Sequence, residues 1–220
     1  MMQAFLNAEV FAAALPLLLH GLAVTLLLSA LVVPLGFASG LALALLSLAR
    51  SRVLRGALMV WVDVFRAFPP LVLLVFLYAG LPFAGISLPP LGCVAAGFML
   101  NASAYYGEIV RAGLLSVPRG QWEAARSTGL SAGQALRYVV LMPALRTVLP
   151  DLLSNTLELV KLTSLASVVA LPELLFQARQ AQSLTYNATP IVAASAMYFL
   201  LLWPLVRVLS RLENRAVARR

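Results

Sequence analysis

The sequence is poor in most of what a soluble enzyme or a secreted domain relies on. A single cysteine, Cys93, in 220 residues rules out an intramolecular disulfide and argues against a cysteine-based metal site. The single histidine, His20, stands at the mouth of an apolar run and reads as an interfacial polar residue rather than a ligand. The single lysine, Lys161, follows Val160 inside another apolar run, so no GxxxxGK[ST] phosphate loop occurs anywhere. Metal: none is expected, and with no catalytic Cys/His arrangement or polar cluster outside the apolar runs the chain does not read as an enzyme. No internal repeat is visible. The opening residues lack a positive segment and carry Glu9 instead, so a cleaved signal peptide is not expected.

What is present is apolar residue in excess. The chain is 62% hydrophobic, with a mean hydropathy of +0.94, whereas soluble domains run near roughly 45–50%. A membrane span needs ~20 mainly apolar residues, so most of this chain belongs in lipid. Five runs are visible, near 16–49, 57–79, 91–115, 139–169 and 191–209. The first is too long for one upright span, which leaves tilt, a break near Pro34 or a preceding interfacial segment. Gly36, Gly40 and Ala44 give that run a close-packing face. A polar stretch over 172–190 is expected to be an outside loop with a short helix.

A net charge of +8 would suggest nucleic acid in a soluble protein; here the arginines flank apolar runs, and topology explains them without such a partner. Thirteen of the sixteen Lys/Arg fall in 49–56, in 108–147 or from Arg207 onward, which five spans place on one side of the bilayer. The positive-inside rule makes that side the cytoplasm, with the N-terminus outside and the C-terminus inside.

The coupling segment, 116–138, is the longest polar interruption and lies on that cytoplasmic side. Pro118 pre-sets φ for an early helical position, with Ser116 available as N-cap. Glu123 suits the positive end of the first short helix. Gly129 can take the left-handed conformation that stops it, and Ser131 with Gln134 forms a capping box that starts the next. The small pair Ala124-Ala125 allows close approach by another surface.

The order Glu123-Ala124-Ala125, three residues, Gly129, nine residues, then a hydrophobic pair leading to Pro143 resembles the EAA motif of the membrane subunits of binding-protein-dependent ABC importers. Further matches make nearly the whole chain similar to the polar amino acid (histidine/glutamine/arginine/opine-type) permease branch. They are Phe65-Arg66-Ala67-Phe68-Pro69, Gly80-Leu81-Pro82, Ser116-Val117-Pro118, Thr163-Ser164-Leu165 and Glu173-Leu174. The departures are Pro143 one place late in the motif, Ala67-Phe68 for Gly-Thr and Leu162 for Asp. The resemblance implies an all-α integral membrane fold of five transmembrane helices with a cytoplasmic coupling helix, that of the type I ABC importer. Gln121, Glu123, Ala124, Ala125 and Gly129 are then the residues that dock on the ATPase. It also implies a second permease subunit, the same chain or a paralogue, an extracytoplasmic solute-binding protein and an amino acid substrate. No cofactor is expected on this chain, ATP and Mg belonging to the ATPase. The setting is the bacterial inner membrane.

Three acid–base pairs stand at i,i+3: Asp63 with Arg66, Glu108 with Arg111, and Glu158 with Lys161. A lone charge within the bilayer costs a few kcal/mol, roughly 3 or more, so pairing or a wet cavity is expected. Glu108–Arg111, near the cytoplasmic edge, reads as a structural pair. A zwitterionic amino acid needs a cation for its carboxylate and acceptors for its ammonium, so Asp63, Arg66, Glu158, Lys161, Thr163 and Ser164 are the expected lining of the substrate pathway. The rival function is a secondary transporter driven by an ion gradient, which would show repeated halves.

Overall fold

The computed structural model describes residues 5–217, with side chains placed as far as 211. The side chains of Arg215, Arg219 and Arg220, which entered the topology argument, lie outside the described residues. Among those residues the chain is helical and contains no strand.

Helix α1 spans Ala8–Leu46 and contains both Pro16 and Pro34. It begins well before the expected boundary at 16. Asn7 is the reason, because its Oδ1 accepts the backbone N–H groups of Glu9 and Val10 at 2.9 and 3.2 Å. At 1.5 Å per residue the helix is ~58 Å long, so it overhangs or tilts in a hydrocarbon core of ~30 Å. It continues unbroken through Pro34, and Thr25, Ser29 and Ser39 satisfy their hydroxyls inside the apolar helix on the carbonyls of Gly21, Thr25 and Leu35.

Helix α2, Arg52–Ala67, starts on Ser51, whose Oγ accepts the N–H of Leu54. The single span expected over 57–79 is in fact two elements. Phe68 and Pro69 are extended (ψ 122° and 127°) and helix α3, Pro70–Val75, begins after them. A proline pushes the residue before it out of the helical region, and Pro69-Pro70 does so twice. A π-turn over Phe76–Gly80 and a 3-10 turn over Leu81–Ala84 follow, closed by Gly85 at φ 79°. Helix α4 covers Pro90–Ser116, and α5, Arg119–Ser127, and α6, Ala132–Ala135, make the polar segment. The run expected at 139–169 is built in pieces: a π-turn at Leu136–Val140, α7 at Leu141–Thr147, α8 at Leu149–Leu162 and a 3-10 turn at Thr163–Val169. Helix α9, Leu174–Thr185, occupies the expected polar loop, and α10 spans Thr189–Val217. Among the described residues three helical stretches (Ala8–Leu46, Leu149–Val169, Thr189–Arg211) are long and apolar enough to cross a membrane, with a fourth if α2 and α3 form one broken span. Helix α4 is as long but carries Asn101, Ser103, Glu108 and Arg111.

The contacts divide the chain into two compact units. One comprises Met1–Pro34, Pro69–Met99 and Leu157–Arg220. Its core joins Ala14 and Leu18 of α1 to Leu174, Ala178 and Ala181 of α9 and Ala194 of α10. Gly21 makes this packing close, because a Cβ there would lie 2.8 Å from the Leu174 Cα. Thr25 donates to the Gly21 carbonyl and accepts the Leu174 N–H, tying α9 to α1.

The other unit comprises Leu35–Phe68 and Leu100–Thr156. Here the small-residue face of α1 packs on α4 as its spacing requires. A Cβ on Gly36 would sit 2.7 Å from the Ala102 Cβ, and one on Gly40 only 2.8 Å from the Gly107 nitrogen. Gly113 on α4 approaches the Ala144 carbonyl of α7 equally closely.

Candidate coupling surface and membrane charges

The polar segment is a helix, a hinge and a second helix. Ser116 does not cap it. Its hydroxyl donates to the Gly113 carbonyl at 2.7 Å, and the residue is the last of α4, while the extended Pro118 stands at the N-cap of α5 without a side-chain bond. The cause is the sequence gap: Ser116 stands three residues before the first helical position, Arg119, and cannot reach forward past Pro118. The rest of the segment is built as its residues imply. Gly129 has φ 87°, and Arg126 closes the hinge by donating from Nη1 to the Leu130 carbonyl at 2.7 Å. Ser131 and Gln134 exchange both bonds of the capping box.

The first helix of the segment has two faces. Ala125 is buried against the chain, so it seats the helix and cannot meet a partner. Gln121, Glu123, Ala124 and Gly129 are exposed and make the outward face. Of the small pair, only Ala124 offers close approach from outside.

The break after α2 has a chemical consequence within the same unit. Pro69 and Pro70 have no N–H to give to the carbonyls four residues earlier, those of Phe65 and Arg66. Two side chains one turn apart on α4 serve them instead. Asn101, 3% exposed, donates from Nδ2 to the Phe65 carbonyl at 2.9 Å, and the Tyr105 hydroxyl donates to the Arg66 carbonyl at 3.4 Å. The charged end of α2 is thereby held at a fixed place beside α4.

Asp63 and Arg66 do not pair, although their spacing allows it. The Arg66 guanidinium lies 5.5 Å from the centre of the Tyr105 ring, a cation–π contact that draws it toward α4. Both residues line a cavity of about 490 Å³ together with Arg55, Glu108 and Arg111, between walls that include Leu43 and Leu58. Within it Arg111 Nε donates to Glu108 Oε2 at 2.9 Å, as expected of that pair. Asp63 and both remaining arginines are left without an ion-pair partner among the described residues.

Glu158 and Lys161 belong to the other unit. They do pair, Nζ to Oε1 at 2.6 Å, with side chains 62% and 48% exposed, so nothing in this one chain covers them. Thr163 is fully buried and donates to the Val160 carbonyl; Ser164 donates to the Lys161 carbonyl.

The charged residue that sequence reasoning left unassigned is Glu173. It is buried at the N-cap of α9, accepts the N–H groups of Leu175 and Phe176 at 2.9 and 2.8 Å, and accepts the Tyr198 hydroxyl at 2.7 Å. Burial pushes its carboxyl up from the usual range, against the opposing pull of those hydrogen bonds. A Pro-Glu pair directly before an apolar helix start was the visible signal.

Comparison with known proteins agrees with this architecture. Residues 33–218 match the model of the family described as binding-protein-dependent transport system inner membrane component. The chain is 34% identical over 209 residues to the glutamine transport system permease protein GlnP of Escherichia coli (strain K12), covering 92% of this chain and 94% of that one. It is 33% identical over 202 residues to the L-cystine transport system permease protein TcyB of Bacillus subtilis (strain 168), covering 91% and 86%. A crystal structure of an amino acid ABC transporter with histidines superposes with a TM-score of 0.85 at 33% identity, over 96% of this chain and 99% of that one. The long helices, the capped polar segment and a family match across most of the length agree: the chain belongs to the family of inner membrane components of binding-protein-dependent transport systems, the permease subunits of ABC importers, and is a multi-pass inner membrane protein.

Proposed function

We propose that the chain forms half of the translocation pathway of an ATP-driven importer of polar amino acids and receives its driving force through α5. The observation that carries this reading is the outward face of α5. Gln121, Glu123 and Ala124 are exposed on a helix that Ala125 seats from behind and that Gly129 and the Ser131–Gln134 box hold at a fixed hinge. A short rigid helix that presents its polar face away from its own chain suits a groove on another subunit. That subunit is the ABC ATPase, which holds the ATP and Mg; α5 faces the cytoplasm, as the arginine distribution requires. A second permease, the same chain or a paralogue, completes the pathway, and an extracytoplasmic binding protein delivers the solute.

Relatives named for glutamine and for cystine support polar amino acids as the substrate class. Arg66 and Asp63, unpaired in one cavity, and the uncovered Glu158–Lys161 pair supply charges of both signs for a zwitterion. Thr163 acts at most through its place in the fold, its hydroxyl being committed to the backbone, whereas Ser164 is only partly buried. The test is copurification with the ATPase and ATP hydrolysis in Glu123→Lys and Gly129→Val. Both variants should assemble into the membrane yet lose ATPase retention or solute-stimulated hydrolysis. Wild-type behaviour in both would remove α5 from the coupling path.

A further inference from the structure

The cavity between α1, α2 and α4 has two ends with different surroundings. The contact of Arg66 with the Tyr105 ring marks the inner end. Ser47 and Leu48, just past the end of α1, line its mouth with Arg55, near the start of α2, and Leu115, at the close of α4. Arg66 is eleven residues beyond Arg55, ~16 Å along α2, so the charges proposed for the solute path stand well away from the mouth. The two carboxylates of the cavity, Asp63 and Glu108, also lie deeper along their helices than Arg55 and Arg111, which leaves the mouth positive. Arg55 is exposed and forms no ion pair among the described residues. Arg52 and Arg55 open α2 where its dipole is already positive, and no acidic residue stands in that first turn. Arg111 donates to Glu108 from Nε and Nη2, which leaves three of the five N–H donors that a guanidinium carries. Beside these cations the mouth is apolar and uncovered, Leu115 being 66% exposed and Leu48 39% exposed.

Guanidinium groups with spare donors next to uncovered leucines suit a ligand with an anionic head and an apolar tail. A soluble anion would leave the leucines in water, and an apolar helix would bury Arg55 without a partner. We propose that the mouth is a site for an anionic phospholipid of the cytoplasmic leaflet. Arg55 and Arg111 bind its phosphate, and its acyl chains lie along Leu48 and Leu115. The guanidinium fork matches phosphate oxygens, and basic pockets between helices at the cytoplasmic face are where such headgroups bind. The headgroup offsets the positive opening of α2 that no acidic residue of its first turn offsets. The inference rests on the cytoplasmic placement of this end in the proposed topology.

The experiment uses the permease–ATPase complex purified in a mild detergent and titrated with phosphatidylglycerol or phosphatidylcholine, with bound lipid counted by native mass spectrometry. The wild type should hold phosphatidylglycerol in preference to phosphatidylcholine. Arg55→Gln should weaken phosphatidylglycerol binding roughly fivefold, the contribution of one arginine near an anionic headgroup, and Arg55→Lys should recover most of it. Arg52→Gln removes an exposed arginine outside the cavity and should change binding little. Without added lipid the variants should melt with the wild type. Phosphatidylglycerol held no tighter than phosphatidylcholine overturns the inference. So does an equal loss in Arg55→Gln and Arg52→Gln, which would mark diffuse attraction to a basic face. Displacement of the lipid by inorganic phosphate, or by glutamine, would also overturn it and give the mouth to a soluble anion or to the solute. The readout needs no ATP, so a complex that holds the lipid through Arg55 yet hydrolyses no ATP would defeat the proposed function and leave this site standing.

Discussion

Replacing Asn101 by leucine tests how the break between α2 and α3 is held. Asn101 is 3% exposed, and its Nδ2 is the donor 2.9 Å from the Phe65 carbonyl, whose helical partner position is taken by Pro69. Leucine is of similar volume, so the change removes a hydrogen bond and leaves packing largely intact. The bond is part-buried, so a carbonyl left without its donor there costs about 1 kcal/mol, the low end of the range for a buried group. For a chain of this size that corresponds to roughly 2–4 °C in melting temperature for each kcal/mol. The neighbouring bond gives the comparison. Tyr105 reaches the Arg66 carbonyl only at 3.4 Å and in an exposed setting, so Tyr105→Phe should cost about 0.5 kcal/mol or less. Thermal unfolding of the purified variants in one detergent, followed by intrinsic fluorescence, reads both numbers. An Asn101→Leu protein that melts with the wild type, or a Tyr105→Phe protein that loses as much as Asn101→Leu, would refute the carbonyl-rescue account.

The remaining predictions are independent of that site. Gly40→Ala places a Cβ 2.8 Å from the Gly107 nitrogen and 2.5 Å from the Tyr106 Cβ, so α1 and α4 must separate at a cost of about 1–3 kcal/mol. Gly56→Ala, inside α2 with nothing within 4 Å, should stabilise by roughly 0.5–1 kcal/mol; equal melting temperatures would contradict the packing argument. Burial raises the carboxyl of Glu173, so the folded chain keeps that proton to higher pH than the unfolded chain, where a glutamate titrates near ~4.3. Its contribution is full below that value and is lost as pH climbs toward the raised folded one. Melting curves should therefore show the wild type losing ground to Glu173→Gln as pH increases from about 4 toward neutrality, and a pH-independent gap would speak against it. Glu158→Gln and Lys161→Met should assemble normally yet lose amino acid uptake in proteoliposomes; normal uptake in both takes this pair out of the pathway.

Features that depend on near neighbours in the chain were legible in the sequence. The capping box of Ser131 and Gln134, the left-handed Gly129 and the small face of Gly36 and Gly40 each follow from residue type at fixed spacing, and the structure carries all three. The cap at Asn7 was also local, an Asn two residues before an acid, but the apolar run beginning near Pro16 outweighed it. Ser116 closes α4 instead of capping α5, since a serine two residues before a proline suits either a last turn or a cap. What could not be read was tertiary. The bonds from Asn101 and Tyr105 to the α2 carbonyls join residues 36 and 39 positions apart. Asp63 and Arg66 have the spacing of a pair, yet the Arg66 guanidinium lies over the Tyr105 ring of another helix, in the cavity that also holds Glu108. The alternation of Ala124 outward and Ala125 inward likewise needed the surface on which α5 lies.

Uptake driven by ATP alone tests the central claim most directly. The permease and its copurified ATPase and binding protein are reconstituted in proteoliposomes with ATP on the nucleotide-binding side, and ionophores collapse the proton and sodium gradients. Accumulation of a labelled polar amino acid should continue at its original rate and stop when ATP is withheld. Uptake that ceases on collapse while ATP is still present would contradict the account and assign the work to an ion gradient.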